Sequence, residues 1–406
     1  MSVTILSQPD THTPGYNSQY FVATSTQSNQ TNFKYVVSVT IGPDTITEKI
    51  NKRPDNSLLY FDPSRIVQSY LENTFSRTAL DFEAVADSII YVTVGVTEEY
   101  GDPVSGFAGA SGSYYAWNAA YNTHDFSSYS YSTTALSKDL TLAPSLTDEI
   151  NFNQQFLYKT WHKAFGTKKL RYLSITAFDS SGTTIQDSVI ENAFYNVTDY
   201  TQNIIRLNCS PYGLNNFTGT VVSKSDPAQD IIPSSTTQYT YYFYEVLPVI
   251  GNIASNVYTV NIDTMCYKYD RYVLHFLNRL DNPDSFTFEL LNRSTAEKKI
   301  AEYKRNPYEN VSNTLTYYND KADSFTYSTT ITNKMVLNSD WITDAQSLWL
   351  KDMIMSPTVI LEDSTGALFA VKITDTSWES KLKVNDRIFN ATINIEFKYQ
   401  DIRQRG

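Results

Sequence analysis

The chain has 406 residues, of which 41% are hydrophobic and 18% charged, a composition that excludes a disordered chain and a membrane-embedded one. Its length allows two or three domains, each with its own core. The net charge of −11, from 32 Lys and Arg against 43 Asp and Glu, argues against direct nucleic-acid binding, which needs cations to displace phosphate counterions. The 31 Tyr and 21 Phe favour strands, because aromatic side chains pack well on a pleated surface.

Residues 1–100 predict a small β-sandwich preceded by an extended arm. The arm is expected at 1–18, which are polar and contain two prolines. Alternating apolar residues then predict strands at 20–26, 34–41 and 90–97, with Ile90, Val92, Val94 and Val96 on one side of the last strand.

A short helix is predicted between these strands. Asp62 is placed to cap its free N–H groups, and Pro63 suits the first helical position. Its apolar face would consist of Ile66, Val67, Tyr70 and Leu71.

Residues 101–150 predict a long loop or arm. Gly101, Gly106, Gly109 and Gly112 cluster there with Ser, Ala and the Tyr residues at 114, 115, 121, 129 and 131. A loop of this length is usually functional or disordered. One interpretation is an arm along a neighbouring subunit, with Trp117 and the tyrosines as rigid anchors. The alternative is a flexible insertion.

Residues 151–264 predict a second β-sandwich. Leu173, Ile175 and Ala177 alternate on one strand, and a turn signal at 179–182 follows it. Further strands are predicted at 239–247 and 257–262, whereas the Gly-, Ser-, Asn- and Pro-rich stretch 211–237 predicts a loop.

Residues 265–406 predict a C-terminal β-sandwich with one packed helix, which makes the expected fold mainly β with tandem sandwiches. The predicted strands are 272–279, 284–289, 324–336, 358–361, 367–374 and 389–399. On the last of them one face is expected to carry Phe389, Ala391, Ile393, Ile395, Phe397 and Tyr399, which suits a sheet packed on a helix.

The helix of this domain is predicted from its end signals. Thr343 and Gln346 have capping-box spacing, and Pro357 marks the end. Its apolar stripe is expected to be Ala345, Leu348, Trp349 and Met353. We expect Trp349 to be buried against the sheet that contains Ile393, Ile395 and Phe397.

Motifs that carry chemistry are mostly lacking. The four histidines (His12, His124, His162 and His275) show no i,i+3 or i,i+4 pairing, and no nucleophile elbow, phosphate loop or dinucleotide fingerprint occurs. We interpret His275 as a structural histidine with satisfied ring nitrogens, and the pairs Glu98-Glu99 and Glu362-Asp363 as turn-associated carboxylates. The sequence therefore predicts no catalytic, cofactor-binding or metal-binding residue, and a protein that is not an enzyme.

Cysteines and targeting signals set the expected compartment. Cys209 and Cys266 are too few for a disulfide framework or a four-cysteine zinc site, and they form either one bridge or, as we favour, two buried thiols. The N-terminus lacks a basic region followed by an apolar one, and no window approaches about 20 apolar residues. We expect no secretory signal, no membrane insertion and folding in a cytoplasm, where the seven Asn-x-Ser/Thr sequons reflect composition.

Three blocks of sequence carry a resemblance. They are Tyr35–Ile41 with Leu59–Leu71, Tyr272–Arg279 with Asp284–Phe288, and Ser339–Leu350 with Ser356–Glu362. Together they resemble virion structural proteins of tailed phages of Bacteroidota hosts, crAss-like phages included. The blocks cover both ends of the chain, and none of them is a functional signature.

The resemblance implies a tail, baseplate or neck component that is made in the host cytoplasm and carried in the virion. We expect a hub or ring protein that assembles with itself and with other virion proteins. One alternative is a receptor- or glycan-binding tail adhesin, with the Tyr-rich stretch 113–131 as its stacking platform. A polysaccharide-degrading tail enzyme is the third class, and neither β-helix repeats nor a carboxylate-rich motif supports it.

Overall fold

A computed structural model of the protein describes residues 2–73, 80–131, 137–166, 168–196, 198–246, 253–263, 268–304, 306, 308–317, 324–378 and 389–403. Strands make up 51% and helices 10%, which confirms the predicted mainly-β fold. The chain divides into two units, Met1–Thr264 with Asn278–Asp284, and Met265–Leu277 with Ser285–Gly406. The finer predicted domain boundaries stay a prediction.

The first unit is built from eighteen strands and three short helices among the described residues. Its strands are β1 Val3–Ser7, β2 His12–Pro14, β3 Phe21–Ser25, β4 Lys34–Ile41, β5 Asp44–Ile50, β6 Leu59–Phe61, β7 Glu83–Ala84, β8 Ile89–Tyr100, β9 Ser105–Trp117, β10 Lys138–Asp139, β11 Thr147–Asn151, β12 Tyr158–His162, β13 Tyr172–Phe178, β14 Thr184–Glu191, β15 Ile204–Asn208, β16 Thr220–Lys224, β17 Gln238–Tyr244 and β18 Tyr258–Asp263. Its α-helices are α1 Ser64–Gln68, α2 Thr123–Phe126 and α3 Pro211–Asn215, with 3-10 turns at Ala86–Ser88, Lys163–Phe165 and Tyr200–Gln202.

Two sheets form the first sandwich of this unit. A five-stranded sheet has the order β2-β9-β8-β4-β5, and a three-stranded sheet has the order β1-β3-β6. Side chains of both sheets share one core, to which α1 adds Val67 and the segment after the helix adds Leu71. The alternation predicted for β8 is confirmed at Val92, Val94 and Val96, which are fully buried.

Two further sheets form the second sandwich. The six-stranded sheet has the order β11-β18-β17-β13-β14-β16, and the four-stranded sheet has the order β10-β12-β15-β7. Their common core contains the predicted Leu173, Ile175 and Ala177 together with Trp161 and Leu207. The predicted loop 211–237 is wrong where α3 and the edge strand β16 lie.

Both stretches of the first unit that were predicted to be arms contain strands. Within residues 1–18, β1 pairs with β3 and β2 pairs with β9. The loop predicted at 101–150 is wrong for 105–117, because β9 pairs along its length with β8.

Two of the three glycines of β9, Gly109 and Gly112, mark close approaches rather than a loop. A Cβ on Gly109 would lie 1.8 Å from the carbonyl oxygen of Val96, and one on Gly112 would lie 2.1 Å from the Gln8 amide oxygen. A strand in which only glycine fits lacks the side-chain pattern by which strands are recognised.

The second unit contains nine strands and one helix among the described residues. They are β19 Tyr272–Leu277, β20 Pro283–Phe288, β21 Arg293–Lys304, β22 Tyr308–Val311, β23 Thr314–Tyr317, β24 Ser324–Ile342, α4 Asp344–Met355, β25 Val359–Glu362, β26 Leu368–Ile373 and β27 Phe389–Arg403. Seven strands form one sheet in the order β20-β19-β25-β26-β27-β24-β21, and β22 pairs with β23. The predicted one-sided strand is confirmed at Ala391, Ile393, Ile395 and Phe397, which are buried, but not at Tyr399, which is 45% exposed.

Helix α4 packs on this sheet with a stripe that matches the predicted one at Met353 but not at Ala345 or Leu348. The capping box is confirmed, because the hydroxyl of Thr343 accepts from the Gln346 N–H and Gln346 accepts from the Thr343 N–H. The helix buries Leu350 and Met353, whereas Leu348 is 54% exposed. Trp349 is half-buried rather than buried, with its ring 5.6 Å from that of Phe276.

Candidate assembly interface

The longest strands of the second unit extend beyond its core. β24 pairs with β21 from Val336–Arg293 to Ser324–Lys304, and β27 accompanies β24 only as far as the pair Arg403–Thr329. We call residues 297–304, 308–317 and 324–332 the arm. Leu337 is the last buried residue of β24 toward the arm, and the thirteen residues beyond it span about 40 Å at the usual strand rise.

The arm differs from the rest of the second unit in the burial of its side chains. None of the described residues between 291 and 336 is buried. Over residues 324–328 only β21 is seen to pair with β24, and a two-stranded ribbon without buried side chains gains little stability from its own chain. The arm is therefore a segment that presents surface rather than one that fills a core.

The tip of the arm is a tight hairpin. Val311 pairs with Thr314, and the two residues between them, Ser312 and Asn313, have φ angles of 54° and 61°. Two successive positive φ angles define the type I′ turn, whose twist matches that of the flanking strands. A turn so specified holds the side chains of β22 and β23 in place before any partner arrives, which reduces the ordering cost of binding.

Large apolar side chains lie exposed along the arm. Tyr303 and Tyr317 are 50% and 53% exposed, and Leu315 is 67% exposed. Rings lie close together here, with Tyr308 and Tyr317 centroids 5.3 Å apart and Tyr303 and Phe325 centroids 6.0 Å apart. The remaining members of this exposed set are Ile300, Tyr308, Val311 and Tyr327. Exposed aromatic groups of this kind mark surfaces that bind other proteins.

One face at the base of the arm carries alternating charges. Glu297, Lys334, Glu396 and Lys372 lie on four neighbouring strands and form a ladder, with Lys334 bonded to Glu297 and Lys372 Nζ 2.9 Å from Glu396. The hydrogen bond between Glu297 and Lys334 lowers the pKa of the carboxyl group and raises that of the ammonium group. This face is suited to water.

The charge of β21 differs from that of the whole chain. β21 carries four cations and two carboxylates, a balance of +2, whereas the whole chain carries −11. It is also the last strand of the sheet, and charged side chains on such an edge discourage unspecific backbone pairing. Within the arm itself the charges of the described residues cancel, with Lys298, Lys299 and Lys304 against Glu297, Glu302 and Glu309.

A second arrangement, in the second unit, has the residue types of a catalytic triad. Nδ1 of His275 lies 2.7 Å from Oγ of Ser285, and Nε2 lies 2.8 Å from Oε2 of Glu362. The interpretation of His275 as satisfied is confirmed, since both ring nitrogens are hydrogen-bonded. The three residues lie within β20, β19 and β25, which are neighbouring strands. Ser285 thus lacks the sharp strand-to-helix turn that presents a hydrolase nucleophile, and these bonds tie the three strands together.

Two of the other histidines, which are far apart in the sequence, are in contact in the folded chain. His12 on β2 and His162 on β12 are 150 residues apart in sequence, yet their ring centroids are 5.1 Å apart. Spacing rules test only neighbours on one helix and could not find this pair. His124 lies exposed on α2. Over the ranges that the structure describes, no group of three or more His, Cys, Asp or Glu side chains is placed to hold a metal ion.

The carboxylate pairs are distributed differently from the prediction. Glu98 and Glu99 lie in β8 rather than at a turn, where Glu98 is buried and accepts hydrogen bonds from Ser2 and Ser25. Asp363 does lie in a hairpin turn, where its side chain accepts from the N–H groups of Thr365 and Ala367.

One cysteine is buried, and the other lies outside the described residues. Burial raises the pKa of the Cys209 thiol to about 12, which leaves it protonated and unreactive at neutral pH. Cys266 is outside the described residues, so the predicted choice between a bridge and two thiols stays open.

Of the predicted aromatic anchors, Tyr114 and Trp117 face the interior, with 1% and 0% exposure. The other four tyrosines of the stretch 113–131 are half-buried.

Comparison with known proteins adds no family. No protein-family model matches the chain, and no curated protein is significantly similar to it in sequence. Among the described residues, no helix is both long and apolar enough to cross a bilayer.

Proposed function

We propose that the protein is a structural component of a tailed-phage virion, a tail or baseplate hub or ring protein, and that the arm joins each copy to its neighbours. The single observation that carries this proposal is the arm itself, a set of strands in which none of the described residues is buried. The sequence resemblance supplies the virion setting.

A second copy of the chain is the partner that we propose for the arm. An arm that docks on a different surface of the next copy makes a heterologous contact, and repeated contacts of this kind close into a ring when the rotation allows. Other virion proteins would bind the same ring.

Catalysis has no part in this proposal, and neither does a metal or a cofactor. The adhesin alternative relied on exposed anchors in 113–131, whereas Tyr114 and Trp117 are core residues. The arm carries exposed tyrosines at positions 303, 308, 317 and 327, of which Tyr308 and Tyr317 lie on its hairpin.

Three substitutions on the arm test the proposal against three matched substitutions elsewhere. The arm variant is Tyr303→Ser, Leu315→Ser and Tyr317→Ser. The control variant is Leu6→Ser, Tyr16→Ser and Tyr20→Ser, at positions that are 57%, 47% and 56% exposed. Both variants remove the same three side chains from comparably exposed positions, and one of them leaves the arm unchanged.

Multi-angle light scattering at a series of protein concentrations gives the oligomeric state. We expect the wild-type protein and the control variant to form the same oligomer, and the arm variant to remain monomeric at tenfold higher concentration. A wild-type protein that stays monomeric at every concentration, or an arm variant that assembles like the control, would contradict self-assembly through the arm.

A further inference from the structure

The first unit contains two buried histidines that the proposed function does not use. We call His12, His162, Tyr115, Tyr131 and Phe165 the histidine cluster. The His12 ring is stacked between Tyr115 and Tyr131, at centroid distances of 4.9 Å and 4.6 Å. His162 meets His12 edge-on at 5.1 Å, and Phe165 edge-on at 4.8 Å.

Three separate pieces of chain meet at this cluster. β2 brings His12 from the first sandwich, and β12 with the 3-10 turn after it brings His162 and Phe165 from the second. The segment 127–131 lies across both, because Tyr129 donates to the carbonyl oxygen of His12 and Tyr131 donates to that of Ala164. The cluster is therefore a joint between the two sandwiches of this unit.

Neither imidazole has a polar partner among the described residues. His12 is 5% exposed and His162 is 0% exposed, and all four ring nitrogens lack a hydrogen-bond partner there. A buried imidazole without a partner is tolerable when neutral, whereas a buried imidazolium ion without a carboxylate is strongly unfavourable.

The charged groups around the cluster oppose protonation as well. The Lys138 ammonium lies 5.3 Å from the Phe165 ring, and Lys163 donates to the carbonyl oxygen of Phe194. A carboxylate close by is that of Asp10, which accepts from the Tyr131 N–H. Burial raises the pKa of Tyr115, Tyr129 and Tyr131, which therefore stay neutral in acid.

We propose that the histidine cluster is an acid-sensitive latch. Protonation of His12 or His162 separates β2 and the segment 127–131 from the end of β12 and opens the joint between the two sandwiches. Above neutral pH both rings are uncharged and the latch is closed.

The direction of the pH dependence follows from the imidazoles. Burial lowers the pKa of His12 from 6.5 to about 4, and that of His162 is also lowered, chiefly by burial. In the open form both rings titrate near the ordinary value, so below pH 6.5 the open form takes up protons that the closed form refuses. For His12 alone this favours opening by about 30-fold at pH 5, and the effect levels off below pH 4.

Hydrogen exchange of the full-length protein at pH 7.5 and pH 5.0 tests the latch, with each rate divided by the intrinsic rate at that pH. We expect peptides covering 10–16, 127–131 and 158–165 to lose protection by 30-fold or more at pH 5, while β13 and β17 keep theirs. His12→Phe with His162→Phe keeps aromatic rings at both positions and should abolish this loss. His124→Phe removes an exposed histidine and should leave it unchanged.

A wild-type protein whose three segments keep their protection at pH 5 would overturn the proposal, as would a double variant that loses protection like the wild type. An NMR titration of the histidine Cε1–Hε1 signals of the wild-type protein needs no variant. The latch requires two signals that titrate well below pH 6, and four signals near pH 6.5 would refute it.

Discussion

The ammonium nitrogen of Lys159 lies 2.8 Å from Oδ2 of Asp148, inside the second sandwich. Lys159 is on β12 of the four-stranded sheet and Asp148 is on β11 of the six-stranded sheet, so this ion pair connects the two layers. Its two side chains are only 3% and 17% exposed. Asp139 lies close enough to raise the pKa of Lys159, and it accepts a hydrogen bond from Tyr258.

We expect Lys159→Met to destabilise the protein by about 3–5 kcal/mol, because it leaves a buried carboxylate without its cation. Lys49→Met is the matched control, since Lys49 makes a 2.7 Å ion pair with Glu99 but is 57% exposed. That pair should contribute less than about 1 kcal/mol. Urea unfolding curves measure both values, and equal effects of the two substitutions would show that burial does not set the strength of the Lys159 pair.

The face of α4 is tested by two leucines on the same helix. Leu350 is fully buried and Leu348 is 54% exposed. Leu350→Ala should reduce the free energy of unfolding by about 2–5 kcal/mol, as a cavity in the core does, and Leu348→Ala by less than about 1 kcal/mol. A larger loss of unfolding free energy for Leu348→Ala than for Leu350→Ala would support the apolar stripe predicted from the sequence.

Deletion of residues 103–135 should prevent the first unit from folding. The deletion removes β9, the strand between β8 and β2, together with the buried Tyr114 and Trp117. Circular dichroism and a thermal unfolding curve measure the outcome. A soluble deletion variant with a cooperative transition near that of the wild type would contradict the central position of β9.

The parts of the fold that the sequence predicts are those with one buried face. Val92, Val94 and Val96 on β8, and Ile393 and Ile395 on β27, alternate because one side of each strand packs on a core. The capping box at Thr343 is equally local, because its hydrogen bonds span only three residues.

Features that depend on distant parts of the chain could not be predicted. On α4, the spacing fits Leu348 as well as Leu350, and only the sheet beneath the helix decides between them. β21 shows no apolar alternation, because it buries neither face. The meeting of His12 and His162 depends on the packing of two sandwiches, to which no spacing rule applies.

The central claim is that the arm joins copies of the protein, and its removal tests this claim most directly. Replacing residues 302–327 by Asn-Gly closes the pair Ala301–Ser328 with a type I′ turn and leaves the buried part of the sheet intact. Thermal unfolding verifies that the shortened protein is as stable as the wild type. Negative-stain images of both proteins should then show closed rings for the wild type and single particles for the shortened protein. Rings of the same size from the shortened protein would contradict the account.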